Sequence, residues 1–175
     1  LIANKMGLPV SKFIAAVNAN NVFPQYLESG NFEPKPSVKT VSNAMDVGNP
    51  SNFARIMELY EYNLSRIREE IWSKSFNDDE TKAAIKEVYT KYGYLMDPHG
   101  AVAYLGIRDY MKESLPAPAI FLETAHPAKF LDVVEPIIGE KIEIPSRLAK
   151  CLKKDKKSVK MAADFDKFKE YLLDN

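Results

Sequence analysis

The sequence predicts an α/β fold with parallel strands and a helix-rich carboxyl-terminal portion. Short apolar runs typical of strands alternate with longer segments in which apolar residues follow helical spacing, and this is the pattern of strands joined by crossover helices. With 175 residues, 46% of them hydrophobic, the chain can bury the core of about one domain. The strands are few beside the helices, so we expect the sheet to be part of a larger one.

The first predicted element is the end of a helix. Gly7 followed by Pro9 is a helix stop signal, but no capping residue opens this helix, and we therefore expect the chain to be a piece of something longer. Three strands follow, and the first of them ends in asparagines. They are predicted at residues 11–20, at the start of 38–47 and at 117–123, with a proline-rich loop at 28–37.

The helices carry clearer signals than the strands. Segment 49–72 has apolar residues at helical spacing, with Asn49 as its predicted cap and Pro50 in its first turn. Acidic residues open a helix at 78–95, and a helix at 97–113 is apolar enough along its first turns to be buried. Further helices are predicted at 126–139, 145–154 and 164–175, the last with Phe165, Phe168 and Leu172 facing the core.

Composition argues against several classes of function. Lysine plus arginine and aspartate plus glutamate each number 24, so no net charge favours nucleic acid or anionic lipid, and we interpret the basic run at 153–160 as a solvated turn. Nothing is long and apolar enough to cross a membrane. The single Cys151 cannot form an internal disulfide, which fits a reducing, cytoplasmic location. It has no histidine nearby in sequence, so we expect a buried or inert thiol and not a nucleophile.

Three polar turns make up the candidate site. They span residues 42–52, 96–103 and 122–130, where the carboxyl ends of strands and the amides of helix starts favour ligands and anions. A less specific interpretation stays open, in which Thr124 only caps a helix and the chain's two histidines only satisfy nearby backbone groups. Two histidines far apart in sequence give little support for a metal site, and no glycine-rich phosphate loop of the Rossmann or Walker type is present.

Four segments in order resemble the threonine synthase family. They read FIAAVNANNVFPQYLESGNFEPKPS, TVSNAMDVGNPSNFARI, DPHGAVAYLGI and LETAHPAKF. The match runs over residues 1–139 as a family-matching core and leaves 140–175 as a helical tail. The resemblance implies the tryptophan-synthase-like fold, fold type II, a three-layer arrangement with helices on both faces of a sheet. It also implies that 1–175 is the carboxyl-terminal part of the large cofactor-binding domain.

The resemblance further implies a chemistry and a cofactor. Family members use pyridoxal phosphate to convert O-phosphohomoserine and water to threonine and phosphate in threonine biosynthesis. The threonine of the family's Thr-Ala-His-Pro motif matches Thr124, and its hydroxyl is expected to face the pyridine nitrogen. Asp97 and His99 match a turn that enters the cofactor cleft, and there the chain departs from the family pattern at Gly100.

Substrate-binding residues are expected in the first and third turns. Short amide and hydroxyl side chains suit recognition of amino, carboxylate or phosphate groups, although Asn49 could equally serve only as a cap. His126 is expected to order its turn or to line the pocket, and Arg55 is a further cation available to a substrate phosphate. The expected substrate-binding residues are Asn43, Asp46, Asn49, Ser51, Asn52, His126 and Lys129.

Part of the family's machinery is expected to lie outside this chain. The family's Schiff-base lysine belongs to an upstream Phe-Lys-Asp motif, and this chain has no such motif. The SGNF at 29–32 runs into prolines and is not the family's phosphate loop. We therefore expect no catalytic residue here, no activity and no cofactor binding by the chain alone, and a need for the missing amino-terminal part of the same enzyme. A sheet that lacks strands could also lead to self-association.

Two other interpretations are open. The first is another pyridoxal-phosphate-dependent lyase or dehydratase of the same fold. The second is a non-catalytic scaffold domain.

Overall fold

A computed structural model describes residues 1–114 and 117–174 and places a small parallel sheet among helices. The strands are β1, Phe13–Val17, and β2, Ile71–Ser75, and single 3-10 turns lie at Asn43–Met45 and Pro127–Lys129. The helices are α1 Ile2–Lys5, α2 Val22–Ser29, α3 Phe53–Leu59, α4 Leu64–Glu70, α5 Asp78–Tyr92, α6 Pro98–Glu113, α7 Leu131–Ile138, α8 Ser146–Leu152 and α9 Phe165–Asp174.

The sheet in the described residues consists of β1 and β2, paired in parallel. The register sets Phe13 opposite Ile71 and Val17 opposite Ser75, so both strands end at the same edge. Parallel pairing requires a crossover, and here the crossover contains α2, α3 and α4. The predicted α/β class with a helix-rich carboxyl-terminal portion is therefore confirmed.

The strand predicted at the start of 38–47 is wrong. Its backbone amides donate to side chains instead of to a neighbouring strand. Val38 N–H donates to Asn20 Oδ1 at 2.8 Å and Thr40 N–H to Asp46 Oδ2 at 2.9 Å. These bonds satisfy the backbone of an irregular loop, which removes the need for a sheet partner.

The strand predicted at 117–123 is also wrong, since the described residues offer it no partner strand. Of its large apolar side chains, Phe121 packs against the core, but the two that flank it do not. Ile120 is 89% exposed and Leu122 is 75% exposed, so an apolar run at this point does not mark a buried strand.

The helix predicted at 49–72 is broken into α3 and α4 and ends in β2. Glu61 and Tyr62 adopt left-handed φ values of 52° and 58°, which interrupt helical hydrogen bonding. Asn63 then restarts the helix, because its side chain accepts from Arg66 N–H at 3.1 Å. The predicted cap, Asn49, therefore does not begin a helix, and α3 starts only after Asn52.

Helix α6 lies directly on β1 at a glycine. A Cβ added to Gly106 would be 2.6 Å from Ala16 Cβ, so only glycine permits this approach without displacement. On its other side α6 packs with α5 and α7, where Ile85, Leu105 and Val134 are fully buried. The buried helix predicted at 97–113 thus forms the centre of the core and carries its first turn to the carboxyl end of β1.

The chain divides into two compact units, Leu1–Ile142 and Glu143–Asn175. The second unit contains α8 and α9. The prediction that Phe165, Phe168 and Leu172 face a core is wrong, since these side chains are 75%, 47% and 59% exposed.

Candidate functional site

A buried polar network begins where β1 ends. Asn18 Nδ2 lies 3.0 Å from Thr40 Oγ1, 3.0 Å from Ser42 Oγ and 3.1 Å from Asp46 Oδ1. On its other side, Asn18 Oδ1 accepts from the backbone and side chain of Asn20, each at 3.0 Å. The loop after the proline-rich stretch is therefore fastened to the end of the strand by one amide side chain.

This network determines which side chains of the first predicted turn are free to bind a ligand. Both Asp46 oxygens are occupied, because Oδ1 accepts from Thr40 Oγ1 at 2.6 Å and Oδ2 from Thr40 N–H at 2.9 Å. In contrast, Asn43 and Asn49 are exposed, and α3 has no side-chain cap from Asn52. Asp46 thus holds the turn in place, while the neighbouring amides are available to a ligand.

A cavity of about 680 Å³ runs along β1 and reaches this end of the strand. Its floor is apolar and is formed by β1 together with residues such as Phe23, Phe53 and Val102. Polar side chains gather on one part of its wall, which combines two of the three predicted turns. These polar residues are Asn18, Asn20, Ser42, Ser51, Asn52 and His99.

The second predicted turn is the start of α6. Asp97 is fully buried and caps the helix, with its Oδ1 accepting from His99 N–H at 2.9 Å. The same oxygen lies 2.6 Å from His99 Nδ1. His99 Nε2 is buried without a hydrogen-bond partner, and the ring lines the cavity. Asp97 therefore orients an imidazole whose second nitrogen has no hydrogen-bond partner among the described residues.

The third predicted turn is organised by its histidine. His126 precedes the 3-10 turn Pro127–Lys129, and its Nδ1 accepts from Ala128 N–H at 3.1 Å. The cap is thus His126 and not Thr124. Thr124 and Lys129 are exposed, and neither their hydroxyl nor their ammonium group makes a hydrogen bond to the residues that the structure describes.

A carboxylate that sequence analysis missed joins the third turn to the second. Glu123 precedes Thr124, and its carboxyl lies within hydrogen-bonding reach of the Asp97 carboxyl. Burial first, and then the charge and hydrogen bonding of Asp97, raise the pKa of Glu123 to about 8. The carboxyl rests against Gly100, since a Cβ there would be 1.9 Å from Glu123 Oε1. The sequence offered only an indirect signal for this contact: Gly100 lies inside an apolar helix, and Glu123 ends an apolar run.

The expected site residues therefore fall into three groups. His99, Ser51 and Asn52 line the cavity. Asp97 and Asp46 support its wall through hydrogen bonds. Five others lie outside the lining of the cavity. The third turn nevertheless contacts α6, through Glu123 beside Asp97 and through the rings of Phe130 and His99, whose centroids are 5.1 Å apart. Those five are Asn43, Asn49, Thr124, His126 and Lys129.

The described residues contain no group of three or more histidine, cysteine or acidic side chains that could hold a metal ion. Across 1–114 and 117–174, helices are also too short or too polar to span a bilayer.

Comparison with known proteins gives a consistent family. Residues 100–172 match the family model described as threonine synthase, C-terminal. The chain is 43% identical over 173 residues to threonine synthase of Haemophilus influenzae, and it is 37% identical over 175 residues to that of Escherichia coli. It covers 99% and 100% of its own length in these alignments, but 40% of each relative.

Solved structures agree with the sequence relatives. The crystal structure of threonine synthase from Escherichia coli matches 99% of this chain with a TM-score of 0.86 at 36% identity. A pyridoxal-phosphate-bound threonine synthase from Brucella melitensis matches 98% with a TM-score of 0.79 at 31% identity. The chain covers 40% and 42% of those two proteins. Family model, sequence relatives and fold agree, and all of them match this chain to the carboxyl-terminal part of threonine synthases.

Proposed function

We propose that this chain forms one wall of the active site of an enzyme that converts O-phosphohomoserine and water to threonine and phosphate with pyridoxal phosphate. The observation that carries the proposal is the cavity along β1, lined by Ser51, Asn52 and His99 from two of the turns that resemble the family. The chain spans about 40% of the length of its relatives, so the proposal concerns the enzyme of which it is a part.

The residues present fit pyridoxal phosphate on one side. An apolar floor suits an aromatic ring, and the buried, unpartnered His99 Nε2 beside it is a polar atom that lacks a protein partner. The exposed Thr124 hydroxyl is available to the pyridine nitrogen. When bound, pyridoxal phosphate supplies the electron sink that such chemistry needs.

Thr124, Asp97 and His99 have different roles in the proposed site. Thr124 contributes a neutral hydroxyl, which can hydrogen-bond a ring nitrogen without holding a proton on it, as a carboxylate would. Asp97 fixes the orientation of His99 through the 2.6 Å contact with Nδ1. His99 in turn places its imidazole on the cavity wall, beside the ring or the substrate.

The first turn is the proposed substrate contact. Ser51 and Asn52 line the cavity, and the amides of Asn43 and Asn49 are exposed on the same turn. Hydroxyl and amide groups of this kind bind carboxylate, amino and phosphate groups. Asp46 acts indirectly by holding this turn to Asn18.

The substrate phosphate requires cations. Lys129 and Arg55 are exposed, and neither side chain is engaged in an ion pair with the described residues. We assign Lys129 to the substrate because it stands in the turn that contains Thr124. An Arg or Lys bound to phosphate forms charge-assisted hydrogen bonds, which are stronger than neutral ones.

The proposal is tested in the full-length enzyme that contains this chain. Release of phosphate with threonine as co-product from O-phosphohomoserine is the expected activity. Thr124→Ser should retain most of it, whereas Thr124→Asp should lose most of it, because a carboxylate changes the protonation of the ring nitrogen. Thr90→Asp is the matched control, since Thr90 is an exposed threonine on α5. Unchanged turnover in Thr124→Asp would remove Thr124 from the cofactor.

We also propose that the chain alone is inactive and does not retain pyridoxal phosphate, because it lacks a Phe-Lys-Asp motif and requires the remainder of the enzyme as its partner. The exposed, free Cys151 fits a reducing compartment such as the cytoplasm. Phosphate release by the purified chain would contradict the first statement. Cofactor-dependent lyase activity without threonine would favour a different enzyme of this fold.

A further inference from the structure

The start of α6 and the third turn meet at two orphaned carboxyl oxygens. Asp97 Oδ2 and Glu123 Oε1 are both buried without a hydrogen-bond partner, yet the two side chains are within hydrogen-bonding reach of each other. As carboxylates, both groups only accept hydrogen bonds, so neither can satisfy the other. One proton held between them removes both orphans and the repulsion of two buried negative charges.

We propose that Glu123 is a positioning residue whose protonated carboxyl donates to Asp97 and thereby fastens the Thr124 turn to the first turn of α6. The other oxygen of Asp97 is committed to His99, through contacts with its backbone N–H at 2.9 Å and its Nδ1 at 2.6 Å. The chain Glu123–Asp97–His99 therefore joins the residue before Thr124 to the imidazole that lines the cavity.

Gly100 provides the space for this contact. A Cβ at Gly100 would meet Glu123 Oε1 at 1.9 Å, Cδ at 2.3 Å and Oε2 at 2.6 Å, so the whole carboxyl group occupies the volume of a missing side chain. Gly100 is not among the glycines with left-handed φ, and a glycine inside a helix is less favourable than alanine. Its backbone gives no reason for glycine, whereas the carboxyl of Glu123 does.

Protonation of Glu123 is consistent with its surroundings. Burial and the neighbouring Asp97 raise the pKa of Glu123 to about 8, and Asp97 is the titratable group that acts on it in the described residues. His99 faces the opposite oxygen of Asp97. A pKa of about 8 keeps the proton on Glu123 at neutral pH.

The importance of this contact for the cofactor depends on the proposed function, but the proton and the steric pairing with Gly100 do not. Infrared difference spectra of the purified protein, without any ligand, test the proton directly. Wild type minus Glu123→Gln should show the carbonyl band of a protonated carboxylic acid at pH 6, and the band should disappear with a midpoint near pH 8. Absence of that band at pH 6 would overturn the proposal. Glu33→Gln is the control, since Glu33 is exposed.

Unfolding measurements test the steric pairing. Gly100→Ala should lower the folding equilibrium constant about tenfold or more, because the carboxyl must be displaced. Adding Glu123→Gly to that variant should restore part of the loss, since it clears the volume that the new Cβ enters, although it leaves Asp97 Oδ2 without a donor. A double variant no more stable than Gly100→Ala would overturn the proposed pairing.

The positioning role is tested by conservative rescue in the full-length enzyme. Glu123→Gln retains a donor for Asp97 and should leave pyridoxal phosphate affinity within about twofold of wild type. Glu123→Ala removes the donor and should weaken it about tenfold, in the range for a buried acceptor left without a partner. Equal affinity in both variants and wild type would overturn the positioning role while leaving the proposed activity intact.

Discussion

Asn18 provides the sharpest test of how the first turn is held. Its Nδ2 donates into a buried site and lies 3.1 Å from Asp46 Oδ1. Asn18→Asp replaces that donor with a carboxylate of nearly the same shape and sets two negative charges against each other. The hydroxyl of Ser42 can rotate to donate to the new oxygen, while that of Thr40 keeps donating to Asp46, so repulsion between the carboxylates is the principal cost.

The size of the effect follows from the distance. Two unit charges 3.1 Å apart repel by about 5 kcal/mol at an effective dielectric constant near 20. The pair can instead take up a proton, which costs about 1.4 kcal/mol for each pH unit above the ordinary aspartate pKa and thus roughly 4 kcal/mol at pH 7. We therefore expect Asn18→Asp to lower the free energy of unfolding by about 4 kcal/mol at pH 7 and by about 1 kcal/mol at pH 4.

Urea unfolding followed by the fluorescence of Trp72 measures this change, because Trp72 is the single tryptophan and lies in β2. Asn43→Asp is the matched control, since Asn43 is exposed on the same turn, and its effect should stay within about 0.5 kcal/mol. A loss below about 1 kcal/mol for Asn18→Asp at pH 7, or one independent of pH, would refute the account of the network.

Three further changes test separate features of the fold and site. Gly106→Ala should destabilise the protein by on the order of 1 kcal/mol in urea unfolding despite the better helix propensity of alanine, because its Cβ would approach Ala16; a more stable variant would contradict the close packing. Asn77→Ala should cost about 1 kcal/mol by thermal unfolding, since Asn77 and Glu80 form a complete capping box at α5, and no loss would show that the cap is dispensable. The free energy of unfolding should fall as pH rises from 4.5 to about 8, because the folded chain retains the Glu123 proton that the unfolded chain loses. That fall is on the order of 2 kcal/mol after discounting for partial exposure, and Glu123→Gln should abolish it; an equal slope in both proteins would argue against the proton.

Local signals predicted the elements that position the second turn. Asp97 followed by Pro98 predicted the start of α6. The apolar surface of α6 predicted that this helix would be buried at the centre of the core. The end of β1 was also predictable from an apolar run that stops at asparagines. In these cases the residues that determine the structure are adjacent in the sequence.

Other features depended on contacts between distant residues. Asn18 reaches Asp46 across 28 positions, and no local pattern announces that the backbone of the intervening loop will bind side chains instead of a strand. The break at Glu61 and Tyr62 carries no glycine or proline, so helical spacing continued without interruption into Ile71 and concealed β2.

The third turn shows the same limit at the candidate site. A family resemblance directed attention to Thr124 and His126, whereas Glu123 was taken only as the last residue of a predicted strand. Its partner, Gly100, lies 23 positions earlier. Only the coordinates show that the glycine and the acid occupy one volume.

The direct seating of α6 on β1 has a consequence for how the cavity can vary. Gly106 brings the backbone of α6 against Ala16 of β1. Because Gly106 has no side chain that could repack at this contact, α6 cannot easily shift relative to β1. The distance between Asn18 and His99 is therefore set by the packing of α6 on β1 and not by the loops. Substitutions in the surrounding turns can therefore change which ligand groups the cavity binds, while its width between Asn18 and His99 stays constant.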